Sequence, residues 1–172
     1  NLVFTFIAIY KVDSWGRKSL FIVGTAGMFI GLMVLALTIY TQQMGVISLL
    51  AVLVFIASFA MSMGPVVWVM LSEIFPNRIR SVAMSIAVAA QWLFNAFVAN
   101  SFPVVNSSTL NQENFNGALP YFIFAFFCLV TMVFVWKLVP ETKGKSLEEM
   151  EALWDSSITV YDEKTEAEQK KL

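Results

Sequence analysis

SLFIVGTAGMFIGLMVLALTIYTQQMGVISLLAVLVFIASFAMSMGPVVWVMLS, residues 19–72, runs without a single Asp, Glu, Lys, Arg or His. A bilayer-spanning helix takes about 20 predominantly apolar residues, so this stretch is too long for one crossing. Its one polar break, Thr41-Gln42-Gln43-Met44-Gly45, divides it into two helices predicted over residues 19–40 and 47–71. Residues 81–112 and 114–136 are also uncharged and each holds one more span, predicted over 82–103 and 118–137. Residues 1–10 are apolar but too short to cross. With no initiator methionine, basic start or cleavage site ahead of Lys11, the sequence reads as a fragment opening inside a helix.

The composition agrees with an all-α membrane protein. Of 172 residues, 58% are hydrophobic and 13% charged, with mean hydropathy +0.73, whereas soluble domains carry about a quarter charged residues. Histidine is absent and Cys128 is the single cysteine. A His-based triad, a zinc cluster and an intramolecular disulfide are therefore excluded, and the expectation is no enzyme, no metal and no cofactor. A net charge of −1 supplies no basic surface for nucleic acid.

The loops orient the chain. With the spans placed as above, all eleven Lys and Arg residues fall on one side. The opposite loops, residues 41–46 and 104–117, carry only Glu113. The positive-inside rule makes the basic side, with the C-terminus, cytoplasmic in a multi-pass membrane protein. Asn106-Ser107-Ser108 on the other side formally matches a glycosylation sequon, a short and common pattern that is given no role.

Polar or helix-breaking residues inside the spans are the candidates for function. Gly64-Pro65 lies mid-span, where proline removes a backbone hydrogen bond and forces a kink or unwinding. Such breaks serve either packing or a binding site in a wet cavity. At 100° per residue Met61, Gly64, Trp68 and Ser72 share a stripe, and the Trp68 ring offers a flat surface to a sugar's apolar face. Gln91 and Asn95, four apart and beside Trp92, project two carboxamides from one face together with Met84, Ala87 and Val98. Their donors and acceptors suit adjacent hydroxyls of a polyol. They equally suit interhelical bonds worth about 0.6–2 kcal/mol. Gly24, Gly27 and Gly31 read as a close helix–helix contact within the chain.

The basic loops carry the most specific patterns: Asp13-Ser14-Trp15-Gly16-Arg17-Lys18, Glu73-Ile74-Phe75-Pro76-Asn77-Arg78-Ile79-Arg80 and Pro140-Glu141-Thr142-Lys143-Gly144. Together, in this order and spacing, D-x-x-G-R-K, E-x-F-P-x-x-x-R and P-E-T-K-G resemble the C-terminal half of a major facilitator superfamily sugar porter, over residues 1–154. Through residues 71–76, Val88-Ala89-Ala90-Gln91-Trp92 and 140–154 the likeness is greatest to the family's bacterial D-xylose:proton symporter branch. The resemblance implies an incomplete twelve-helix bundle: the end of helix 8 and helices 9 to 12.

The same resemblance implies roles. Trp68 and Gln91 would contact a sugar, Trp92 would line its pocket, Gly64 would mark the unwound helix, and Asn95 would join the site. Asp13, Arg17, Glu73, Arg80 and Glu141 would form a cytoplasmic gate network. Facilitative glucose transporters similar to the family carry a glutamate where this chain has Ala60, which favours a sugar:proton symporter. A facilitative uniporter or a transport-inactive sugar sensor is the alternative. No titratable carboxylate lies within the spans, so proton coupling would use the half that is missing here, and this chain alone is expected to move no sugar. The partners implied are a small-molecule sugar, a proton and the lipid bilayer.

Beyond the last span, Ser146-Leu147-Glu148-Glu149 is an S-x-x-E capping box, with Leu147, Met150 and Trp154 following at helical spacing. A short cytoplasmic helix is predicted there, closing a membrane domain of residues 1–154. Residues 155–172 read as a disordered tail of mixed charge.

Overall fold

The computed structural model describes residues 1–75 and 77–139, with the Asp13 side chain left out. These residues form seven helices: α1 (Leu2–Trp15), α2 (Arg17–Tyr40), α3 (Val46–Met61), α4 (Val66–Ile74), α5 (Arg80–Asn106), α6 (Thr109–Asn114) and α7 (Leu119–Leu138). Four segments are long and apolar enough to cross a membrane: Arg17–Tyr40, Val46–Ile74, Arg80–Asn106 and Leu119–Leu138. They are the four predicted spans, the first three longer by a few residues and the fourth shifted by one.

The extensions shorten the loops. The stretch from Asp13 to Lys18, expected as a loop, is almost wholly helical, and the chain passes from α1 to α2 at Gly16 alone. Gly16 has φ 89°, a region that side chains disfavour, so one glycine makes the turn. On the opposite side, α5 does not stop at Pro103 but runs through it to Asn106. Proline sacrifices one backbone bond there, a loss that membrane helices tolerate. The loop then folds into α6, capped by the Ser108 side chain, which accepts from the Asn111 N–H.

α2 is the spine of the bundle, packed along α3 on one flank and α7 on the other. Lipid tails are as apolar as leucine, so close packing rather than escape from water holds such helices together. The glycines of α2 supply that closeness. A Cβ on Gly24 or Gly27 would collide with Ser62 or Ser58 of α3, and one on Gly31 would stand 2.9 Å from the Ala51 carbonyl oxygen. One buried cluster joins Ala8, Leu20, Phe21, Val66, Met70 and Val135, and a second joins Met28, Leu32, Ala125 and Cys128. Met63, from the break between α3 and α4, packs against both.

The two ends of the bundle are tied differently. At one end Arg17, opening α2, bonds Glu73, closing α4. At the other, the Gln42 side chain donates to the Asn116 carbonyl at 3.3 Å and the Asn116 side chain donates to the Tyr40 carbonyl at 2.8 Å. α5 stands apart from this body. It touches α7, α4 and α6 only sparingly, and none of its residues is buried.

Candidate functional site

The site begins at a broken helix. Pro65 has no N–H to offer the preceding turn, and α3 and α4 are separated by residues 62–65. Ser62 leaves the helix with φ −128° and ψ −80°. The N–H groups of Ser62 and Gly64 converge on the Phe59 carbonyl, at 3.2 and 3.0 Å, and the helix resumes as the Val66 N–H reaches the Ser62 carbonyl at 3.0 Å. The break interrupts the predicted stripe: Met61 packs against the first core cluster, whereas Trp68, beyond the break, is 40% exposed. Ser72 is taken up by its own helix, its hydroxyl donating to the Val69 carbonyl. Met61 and Ser72 therefore leave the candidate surface, and Trp68 stays on it.

α4 is only nine residues long and carries a candidate residue toward each end. Trp68 lies in its first turn. Glu73 lies in its last, where Arg17 Nε stands 3.1 Å from both carboxylate oxygens and Nη2 stands 2.8 Å from one of them. This fork is partly shielded from solvent, with the side chains 15% and 24% exposed. Arg80 does not extend the pair directly: its Nε donates to the Phe75 carbonyl at 3.2 Å, at the C-cap of α4. Its Nη2 is buried without a hydrogen-bond partner among the described residues. Glu141 and the Asp13 side chain lie outside the described residues. Of the expected gate network, the structure thus joins Arg17 to Glu73 and sets Arg80 beside them on backbone.

Gln91, Trp92 and Asn95 occupy the middle of α5, all exposed. Three other polar side chains of that helix are spent on its own backbone. Asn100 donates to the Ala96 carbonyl at 2.7 Å, Ser101 to Phe97 and Ser85 to Ser81. Among the described residues neither Gln91 nor Asn95 makes a side-chain hydrogen bond, and no hydrogen bond or ring contact joins them or Trp92 to Trp68. Their amide donors and acceptors thus remain open among the described residues.

Toward the other end, α5 and α7 enclose a groove of about 940 Å³ lined by Phe94, Phe97, Val98, Phe124 and Phe127 among others, with Phe102 stacked on Phe124. Its lining is apolar and offers a sugar little to bond. Among the described residues no cluster of His, Cys, Asp or Glu is fit to hold a metal ion. The residues missed by the sequence reading are Ser58 and Ser62. Their spacing of four, facing glycines spaced three apart on α2, was a legible signal of a close helix pair.

The sequence profile of the sugar (and other) transporter family matches residues 1–154. The chain belongs to that family. It is 51% identical over 155 residues to the D-xylose-proton symporter of Escherichia coli (strain K12), covering 90% of this chain and 32% of the relative. It is 44% identical over 156 residues to the glucose facilitated diffusion protein of Zymomonas mobilis, covering 91% of this chain and 33% of the relative. The inward-open structure of the xylose transporter XylE from E. coli superposes with a TM-score of 0.81 at 51% identity, over 88% of this chain and 33% of that one. The chain spans about a third of the length of the curated relatives it matches.

Proposed function

We propose that this chain forms the C-terminal wall of the sugar pathway in a secondary sugar transporter, and that Trp68, Gln91, Trp92 and Asn95, with Gly64 at the helix break, receive the sugar. The observation that carries the reading is the uncommitted pair of amides on α5. Among the described residues Gln91 and Asn95 make no side-chain hydrogen bond at mid-span, while Asn100 on the same helix is satisfied by its own backbone. Gly64 supports it, since a Cβ there would meet nothing closer than the Phe59 carbonyl oxygen at 3.6 Å. Packing alone does not demand glycine at that position, which suits a face kept low for a ligand.

The end of the bundle bearing Lys11, Arg17, Lys18, Arg78, Arg80 and Lys137 faces the cytoplasm in this reading, in the inner membrane, by the positive-inside rule. The Arg17–Glu73 fork, together with Arg80, Asp13 and Glu141, would hold the cytoplasmic latch in one state of an alternating-access cycle. A small bias between states suffices when each ligand prefers one of them.

Sugar:proton symport is the favoured coupling, from the 51% identity to a D-xylose-proton symporter. The spans hold no Asp, Glu, Lys, Arg or His at mid-depth, so the proton would be carried by a carboxylate outside this chain. The 44% identity to a glucose facilitated diffusion protein favours a second reading, uniport. Uphill accumulation of D-xylose in proteoliposomes by a full-length transporter carrying this segment, abolished by a proton uncoupler, is the expected result. Equilibration without accumulation would replace symport by uniport. Binding without counterflow would make the protein a sensor.

A further inference from the structure

We infer that Ser62, seated against Gly24, is the positioning residue of the sugar site, an inference that rests on the reading of Trp68 just given. Pro65 explains why the helix breaks but not where the backbone departs. The departure comes three residues earlier, at Ser62. That residue is fully buried and bonded to both sides of the break. Its hydroxyl donates to the Ser58 carbonyl at 2.7 Å and its N–H to Phe59 at 3.2 Å, while its own carbonyl accepts the first N–H of α4, from Val66.

Across the interface, Gly24 leaves the notch into which this side chain fits. A Cβ there would overlap both Cβ and Oγ of Ser62 and stand 3.0 Å from the Ser58 carbonyl oxygen. The third helix is therefore clamped to α2 up to its last helical turn and freed directly beyond the clamp. Trp68 lies six residues further on, across the break and in the first turn of α4, so a change of backbone direction at Ser62 reorients the short helix that carries it. Binding constellations tolerate about 0.5 Å, so the seat sets where the indole stands.

The same lane contains its own control. A Cβ on Gly27 would overlap the Ser58 Oγ and stand 3.0 Å from its Cβ, a looser contact than Gly24 makes with Ser62, and Ser58 lies inside the regular helix α3. Substitution at Gly27 disturbs the same helix pair without acting at the break.

The test uses a full-length transporter carrying this segment and isothermal titration with D-xylose and D-glucose. Gly24→Ala and Ser62→Gly should each raise Kd about ten-fold, equivalent to about 1.4 kcal/mol. The double variant Gly24→Ala/Ser62→Gly, which puts a methyl from α2 into the space left by the Ser62 hydroxymethyl group, should return Kd to within about two-fold of the starting protein, a difference below about 0.5 kcal/mol. Gly27→Ala should lower Tm and leave Kd unchanged. If Gly24→Ala does not fold, Ser62→Gly and the double variant carry the comparison. Unchanged Kd in Ser62→Gly, an equal rise in Gly27→Ala, or no recovery in the double variant overturns the proposal.

A sugar-free readout separates this from the transport reading: with Cys128→Ser as background, the maleimide labelling rate of Trp68→Cys should change with Gly24→Ala and recover in the double variant. If the starting protein binds neither sugar while labelling follows this pattern, the sugar assignment fails and the seat stands. If labelling is indifferent to both substitutions, the seat fails.

Discussion

Arg17 grips Glu73 through two nitrogens, at 2.8 to 3.1 Å, and so ties the first turn of α2 to the last turn of α4 across 56 positions of sequence. A fork of this kind is charge-assisted and geometrically specific, and it is only partly screened by water. Arg17→Lys keeps the charge and loses the fork, while Glu73→Gln keeps the shape and loses the charge. Each should cost about 1–2 kcal/mol, between the values for exposed and buried pairs. Thermal unfolding in detergent checks this, with the difference from the starting protein shrinking at high salt.

Gln91 and Asn100 lie on one helix, yet only Asn100 has spent its amide on the backbone. Gln91→Ala should weaken sugar binding about ten-fold, the loss of one desolvated hydrogen-bonding group. Asn100→Ala should leave binding as it is. Titration of both variants in a full-length transporter decides, and equal behaviour of the two would remove the amide from the site.

Asn116 combines a clasp with an unusual backbone. Its side chain donates to the Tyr40 carbonyl, and its φ is 50°. Asn116→Gly should lose only the clasp, about 1 kcal/mol. Asn116→Ala should lose about 1 kcal/mol more, because alanine disfavours the left-handed region. The difference between the two Tm values reads the backbone cost directly.

Gly31 and Gly45 provide a contrast in what glycine is for. A Cβ on Gly31 would meet backbone of α3 at 2.9 and 3.0 Å, whereas one on Gly45 would meet nothing within 4 Å. Gly31→Ala should destabilise by about 1–3 kcal/mol through overpacking. Gly45→Ser should be neutral or stabilising by about a few tenths of a kcal/mol, since position 45 is the N-cap of α3 and has no side-chain cap. Parallel melting curves test both.

Much of the fold was written in the spacing of charges, because hydrocarbon enforces long uncharged runs more strictly than any globular core does. The four spans and the break at Gly64-Pro65 were readable for that reason. Their ends were not. Trp15 and Arg17 belong to two helices with one glycine between them, and Pro103 lies inside α5, because a membrane helix tolerates a missing backbone bond that a soluble one seldom does. The candidate site was legible as residue types, Trp68, Gln91 and Asn95. The helical wheel that joined Met61 to Trp68 failed because it assumed a continuous helix across residues 62–65. The Ser62–Gly24 contact is a pairing between two helices, and one helix read alone carries only half of it.

The bond from Gln42 to the Asn116 carbonyl and the one from Asn116 back to the Tyr40 carbonyl bring two turns that are 74 positions apart in sequence onto one small patch of the bundle's end. An antibody fragment selected against that patch would recognise an epitope that exists only while α2 and α7 are docked. Peptides copied from either turn should fail to compete for it. Such a binder would report native assembly of this segment in an intact membrane, independently of whether any sugar is present.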